Sequence, residues 1–168
     1  MLRVWQTREL EDRDGQLFRK GQPFTGLLCW IDQRDEHPDG EKEHRGGVPW
    51  GVGQAWYEGG TLAYQGRFVW GLWHGPYREW HADGRLAAEV EYDLGCPIHE
   101  RRWDEDGRLV ADRRVDESSW EFQHTQRLRA KFMEIFGRPP EEEVPLPELL
   151  RLAAARAEGG PTEPSAGG

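Results

Sequence analysis

Six histidines give this chain its widest chemical range, because imidazole changes charge near neutral pH, moves protons and ligates metals. His37 and His44 lie in an acidic stretch with Glu36, Glu41 and Glu43, so nitrogen and carboxylate donors occur together. They are not accompanied by a helical pair of histidines four residues apart or by a cysteine-rich spacing, and no metal site is expected. His74, His81 and His99 fall in three separate segments. His81 stands between Glu79 and Asp83, which are the residue types of an acid and base set. The glycine that follows marks a turn, so these are read as surface residues beside it. No Gly-x-Ser-x-Gly elbow, phosphate-cradling loop or dinucleotide fingerprint occurs. Cys29 and Cys96 share no metal-type spacing and are read as reduced thiols. The expectation is a protein without catalytic residues, cofactor or metal, and not an enzyme.

The elements that would position such residues are written as a repeat. Trp80-His81-Ala82-Asp83-Gly84-Arg85-Leu86 returns as Trp103-Asp104-Glu105-Asp106-Gly107-Arg108-Leu109, and more weakly as Trp56-Tyr57-Glu58-Gly59-Gly60-Thr61-Leu62. A period of about two dozen residues signals a repeat architecture. Each unit reads as a hairpin with an inbound strand ending at the Trp and an outbound strand starting at the Leu. A two-residue turn at Asp83-Gly84 would set Trp80 opposite Ala87. A three-residue loop with Gly84 left-handed sets Trp80 opposite Leu86, and in the same way Trp56 opposite Leu62 and Trp103 opposite Leu109. The second register pairs large apolar residues in every copy and is preferred. After the turns, Leu62, Tyr64, Gly66 and Phe68 alternate with Ala63, Gln65 and Arg67, and Leu86, Ala88, Val90 and Tyr92 alternate with Ala87, Glu89 and Glu91. Period-two alternation predicts an antiparallel meander with one apolar face.

Around this meander, residues 1–50 are read as N-terminal strands with a degenerate repeat and an acidic loop insertion, and residues 51–115 as three hairpin repeats. Residues 116–158 are read as a helical segment and 159–168, which lack a large apolar anchor, as a disordered tail. Ser118-Ser119-Trp120-Glu121 has the form of a capping box, and Trp120, His124, Leu128, Phe132, Ile135 and Phe136 follow at helical spacing. Gly137 and Arg138-Pro139-Pro140 end that helix. A second helix is expected near Pro147 with Leu149, Leu150 and Leu152. Three aligned tryptophans of about 150–250 Å² each would approach the largest apolar patch that soluble monomers expose. The helix is therefore expected to cover Trp56, Trp80 and Trp103 with Trp120, Leu128 and Phe132. The fold class is mainly β, with one or two C-terminal helices packed on or beside a single sheet.

Nine tryptophans and 11% aromatic residues mark a folded chain despite 32% charged residues. A net charge of -9 disfavours nucleic acid as a partner and suits a basic protein. No run approaches the roughly 18 apolar residues of a membrane span, and the first residues lack the apolar core of a signal peptide, so a cytoplasmic protein is expected. Trp70, Trp73 and Tyr77 fall outside the strict repeat register and are the candidates for partner binding, because Trp and Tyr anchor interfaces.

Gly75-Pro76-Tyr77-Arg78-Glu79-Trp80 with Asp83-Gly84-Arg85-Leu86, Gly71-Leu72-Trp73-His74-Gly75, and Gly21-Gln22-Pro23-Phe24-Thr25-Gly26 resemble the MORN-repeat variant family of bacterial toxin-antitoxin and immunity-type proteins. The resemblance covers roughly residues 14 to 115. It implies successive hairpins of one elongated, twisted sheet, and a role as an antitoxin that neutralises a partner protein. It also implies an alternative, a scaffold for self-association or membrane-proximal assembly. Ile98 stands where the pattern has a glycine, and the helical segment after Asp116 lies outside the pattern.

Overall fold

The computed structural model describes residues 1–5, 9–31 and 38–141. In chain order the strands are β1 (Arg3–Trp5), β2 (Leu10–Arg13), β3 (Gln16–Arg19), β4 (Gln22–Pro23), β5 (Gly26–Trp30), β6 (Gly40–Arg45), β7 (Val48–Trp56), β8 (Leu62–Val69), β9 (Leu72–Trp73), β10 (Gly75–Trp80), β11 (Leu86–Asp93), β12 (Cys96–Trp103) and β13 (Leu109–Arg114), followed by helix α1 (Trp120–Phe136). The fold is mainly β. Strands β5 to β13 form an antiparallel meander, β9 and β10 together making one interrupted strand beside β8, and β1 joins β5 in parallel. Strands β2 to β4 form a small separate sheet. Strand β7 runs through residue 50 and pairs with both β6 and β8, so β1, β5 and β6 share one sheet with the repeats.

The hairpin loops explain the register. His81 N–H bonds to the Arg85 carbonyl at 2.8 Å and Trp80 pairs with Leu86, leaving Ala82, Asp83 and Gly84 as the loop. Gly84 sits at φ +86, where a Cβ would be strained. Trp56 likewise pairs with Leu62 and Trp103 with Leu109. The opposite end of the sheet is made by tight turns at Gly46-Gly47, Trp70-Gly71 and Leu94-Gly95, all with positive φ at both central residues. This is the mirror-image turn whose twist matches two-residue hairpins. Trp70 (φ +55) and Leu94 (φ +46) are large residues in a conformation that favours glycine, so something must hold them there.

Packing at that end supplies the restraint. Leu94 is only 2% exposed, and Trp70 stacks on Phe136 at 4.8 Å, meets Phe132 at 5.6 Å and sets its edge against Trp50 at 5.2 Å. Helix α1 therefore docks at the tight-turn end and along β12, away from the Trp–Leu loops. This corrects the expected cover of Trp56, Trp80 and Trp103: Trp120 is 65% exposed, and Ile135 also faces solvent. The inward stripe is instead Phe122, Thr125, Leu128, Arg129, Phe132 and Phe136. Ser119, not Ser118, caps the helix by accepting from Phe122 N–H at 3.2 Å, which leaves Glu121 to pair with Arg113 at 2.6 Å. Gly137 closes the C-terminus as expected, at φ +67 and bonded to the Met133 carbonyl. The second helix and the tail expected after residue 141 lie outside the described residues.

Candidate functional site

The histidines separate rather than converge. His37 lies outside the described residues. His44 is buried beside Phe24, with Nδ1 3.1 Å from the Lys42 carbonyl oxygen, and burial pushes its pKa down to about 4. Its acidic neighbours are otherwise engaged: Glu41 accepts from Gln54 at 2.7 Å and Glu43 from Val52 N–H at 3.0 Å. His81 Nε2 lies 3.1 Å from the Trp103 carbonyl oxygen, tying adjacent loops together, and His99 Nε2 lies 3.0 Å from Asp112. These are half-buried, structurally bonded groups rather than free surface imidazoles.

His74 belongs to a cluster that the sequence did not reveal. Its ring nitrogens and the carboxylates of Asp93 and Glu141 place one ligand atom each within 4.8 Å of one another. The three residue types would suit a divalent ion, but a cation is already built in. Arg129 grips Asp93 with two hydrogen bonds, 2.6 and 3.2 Å, and also pairs with Glu141. His74 Nδ1 lies 3.4 Å from Asp93 and 3.5 Å from the Leu94 backbone nitrogen. Burial alone would raise the Asp93 pKa, but its contacts with His74 and Arg129 outweigh it and hold the carboxyl below its usual range. The cluster clamps α1 to the turn that carries Leu94. A signal was present in retrospect: Arg129 sits on the inward stripe between Leu128 and Phe132, where an unpaired cation would be costly.

The three candidate interface aromatics divide. Trp70 is an internal anchor for α1, and its indole N–H has no hydrogen-bond partner among the described residues. Trp73 and Tyr77 lie on the sheet face with Tyr64, Phe68 and Tyr92. Trp73 stacks on Phe68 at 3.8 Å and meets Tyr77 at 4.8 Å, while Tyr77 is 6.0 Å from Tyr64 and 5.6 Å from Tyr92. This aromatic floor depends on missing side chains beneath it. A Cβ on Gly66 would come within 2.7 Å of Tyr77 and 2.8 Å of Trp73, so the ring edges occupy the space that a side chain there would take. Tyr77 hydroxyl donates to Glu79 at 2.8 Å, and burial first, then this bond, raises its pKa. Tyr64, Trp73, Tyr77 and Tyr92 all stay partly exposed.

The other face is a polar ladder set by strand register. Glu41, Gln54 and Gln65 are linked in sequence by hydrogen bonds of 2.7 and 2.8 Å. In the same row across the sheet, Glu89 accepts from Arg78 at 3.0 Å and Arg101 at 2.5 Å. Two shallow depressions of about 210 and 270 Å³ lie on this side and share Pro76 and Arg78. The alternation in β8 and β11 separates the two faces, but the ladder's partners became visible only with the register. Lys42 was also missed. Its ammonium lies over the rings of Phe68 at 4.8 Å and Trp30 at 5.9 Å on the aromatic face.

Among the described residues no helix is long and apolar enough to cross a membrane. No family model, curated protein or solved structure matches the chain.

Proposed function

We propose that the chain is a non-enzymatic protein-interaction module, an antitoxin- or immunity-like protein that binds and neutralises a partner protein in the cytoplasm. The observation that carries this reading is the row of partly exposed Tyr64, Trp73, Tyr77 and Tyr92 across one sheet face. Tyr and Trp combine large contact area with few rotatable bonds and dominate the centres of protein interfaces. A net charge of -9 favours encounter with a basic partner, such as a nuclease toxin, and makes association sensitive to salt. The test is co-expression with the product of the adjacent reading frame, followed by purification. A stoichiometric complex that forms more slowly as salt rises supports the reading, and purification of the chain alone counts against it.

The alternative, a scaffold that self-associates or assembles near a membrane, is favoured by one feature. Strand β13 ends the sheet, and Leu109 and Val110 on it are 53% and 62% exposed. An open edge is a template for strand pairing, although Asp112, Arg113 and Arg114 guard most of it. Light scattering separates the readings: open-ended oligomers abolished by Val110→Lys would favour the scaffold, and a monomer would not. Liposome flotation tests the membrane variant.

A further inference from the structure

We infer that the aromatic face is a receptor for an extended segment of the basic partner in which a single carboxylate meets Lys42 and a flat apolar side chain rests on Trp73 and Tyr77. The inference rests on the interaction-module reading and names the chemistry of its contact.

Lys42 carries the argument. It projects from β6 onto the aromatic face, where its ammonium is held over Phe68 and Trp30 with no hydrogen bond or ion pair to any described side chain. The nearest carboxylate-bearing positions in its strand, Glu41 and Glu43, alternate to the other face and are engaged there by Gln54 and by Val52 N–H. Partial burial lowers its pKa, as expected for a cation taken from water without a counter-charge. Elsewhere on this face the cation has carboxylate partners: Arg102 pairs with Glu79, which also accepts from Tyr77, and with Glu100. Among the described residues of this face, Lys42 is thus the cation left without a carboxylate.

Register fixes the distance from that charge to the aromatic floor. Lys42 pairs with Gly53, and Gly53 pairs with Gly66, so the three stand in one row across adjacent strands. The space above Gly53 is filled by Phe68 and the Lys42 stem, and that above Gly66 by Tyr77 and Trp73. Two strand spacings come to about 10 Å, the reach of about three residues of extended chain. A ligand running across the strands would place an Asp or Glu over Lys42 and an aromatic or proline three residues away over Trp73 and Tyr77. The partly exposed rings of Trp73 and Tyr77, packed over Gly66, offer apolar surface for that side chain.

The probe is a displayed library of random twelve-residue peptides selected on the full chain, with recovered peptides synthesised and titrated by fluorescence anisotropy. Recovered sequences should share Asp or Glu about three residues from Trp, Tyr, Phe or Pro. Lys42→Met should weaken binding about ten- to a hundredfold, as expected for loss of a charge-assisted contact, while Lys42→Arg should retain most of it. Changing the peptide's acid to its amide should cost the wild-type protein a similar factor, which tests the contact without altering the fold. Peptides without an acidic preference, equal binding by Lys42→Met, recovery of no peptide, or self-association that needs Lys42 would each overturn the assignment. A stoichiometric protein partner that binds Lys42→Met unchanged would do so too, while leaving the interaction-module reading in place.

Discussion

His44 should make this protein acid-labile in a defined window. The ring is 6% exposed, rests near Phe24 and stays neutral until about pH 4, whereas an ordinary histidine takes up its proton near 6.5. Between those values the unfolded chain binds more protons than the folded one, so stability is full above the upper value and falls as pH drops toward the lower. At about 1.4 kcal/mol per pH unit, the window corresponds to a loss of roughly 3 kcal/mol. That is a large share of the 5–15 kcal/mol typical of a domain. Asp93 contributes outside this window, because its lowered pKa keeps it ionised until the pH falls below the usual carboxylate range. The assay is urea unfolding followed by tryptophan fluorescence at several pH values between 7 and 4, for the wild type and for His44→Phe, which keeps a ring but cannot titrate. The wild type should lose about 3 kcal/mol more than the variant across the window. Parallel pH profiles would refute the assignment of a buried neutral imidazole.

Two further substitutions probe the two ends of the sheet. Leu94→Ala removes a side chain that is 2% exposed at the turn where α1 docks, and should cost about 2–5 kcal/mol in chemical unfolding; a loss below 1 kcal/mol would mean that the turn is not an anchor. Gly84→Ala forces a Cβ into a left-handed loop position where it would meet only Thr61, at an ordinary contact distance of 3.8 Å, so the cost should be backbone strain alone, about 1–2 kcal/mol. No loss in thermal unfolding would contradict the loop geometry.

The loop end of the sheet was legible because its chemistry is conventional. Gly84 and Gly107 follow polar loop residues, and only a three-residue loop pairs Trp80 with Leu86 and Trp103 with Leu109. The tight-turn end was not, because Trp70 and Leu94 occupy positions that turn rules assign to Gly, Asn or Asp. Their strain is stabilised by burial against α1, which is a tertiary effect with no local signature. The helix face was misjudged for a related reason. Hydrophobic spacing favoured Trp120 and Ile135, but the inward stripe includes Thr125 and Arg129, whose polar groups are satisfied by the helix backbone and by Asp93. Of the expected interface aromatics, Trp73 and Tyr77 share the open face and Trp70 does not. Lys42 carries no pattern of its own, since a lysine in a strand of alternating charge gives no hint that its ammonium faces aromatic rings.

The most direct test of partner binding through the aromatic face is hydroxyl-radical footprinting of the purified chain with and without its co-expressed partner. Oxidation of Tyr64, Trp73, Tyr77 and Tyr92 should fall on complex formation, while Trp120 on the exposed side of α1 should react as before. Protection confined to α1 or to the Gln65–Arg78–Glu89 face, with the four aromatic residues unchanged, would contradict the account.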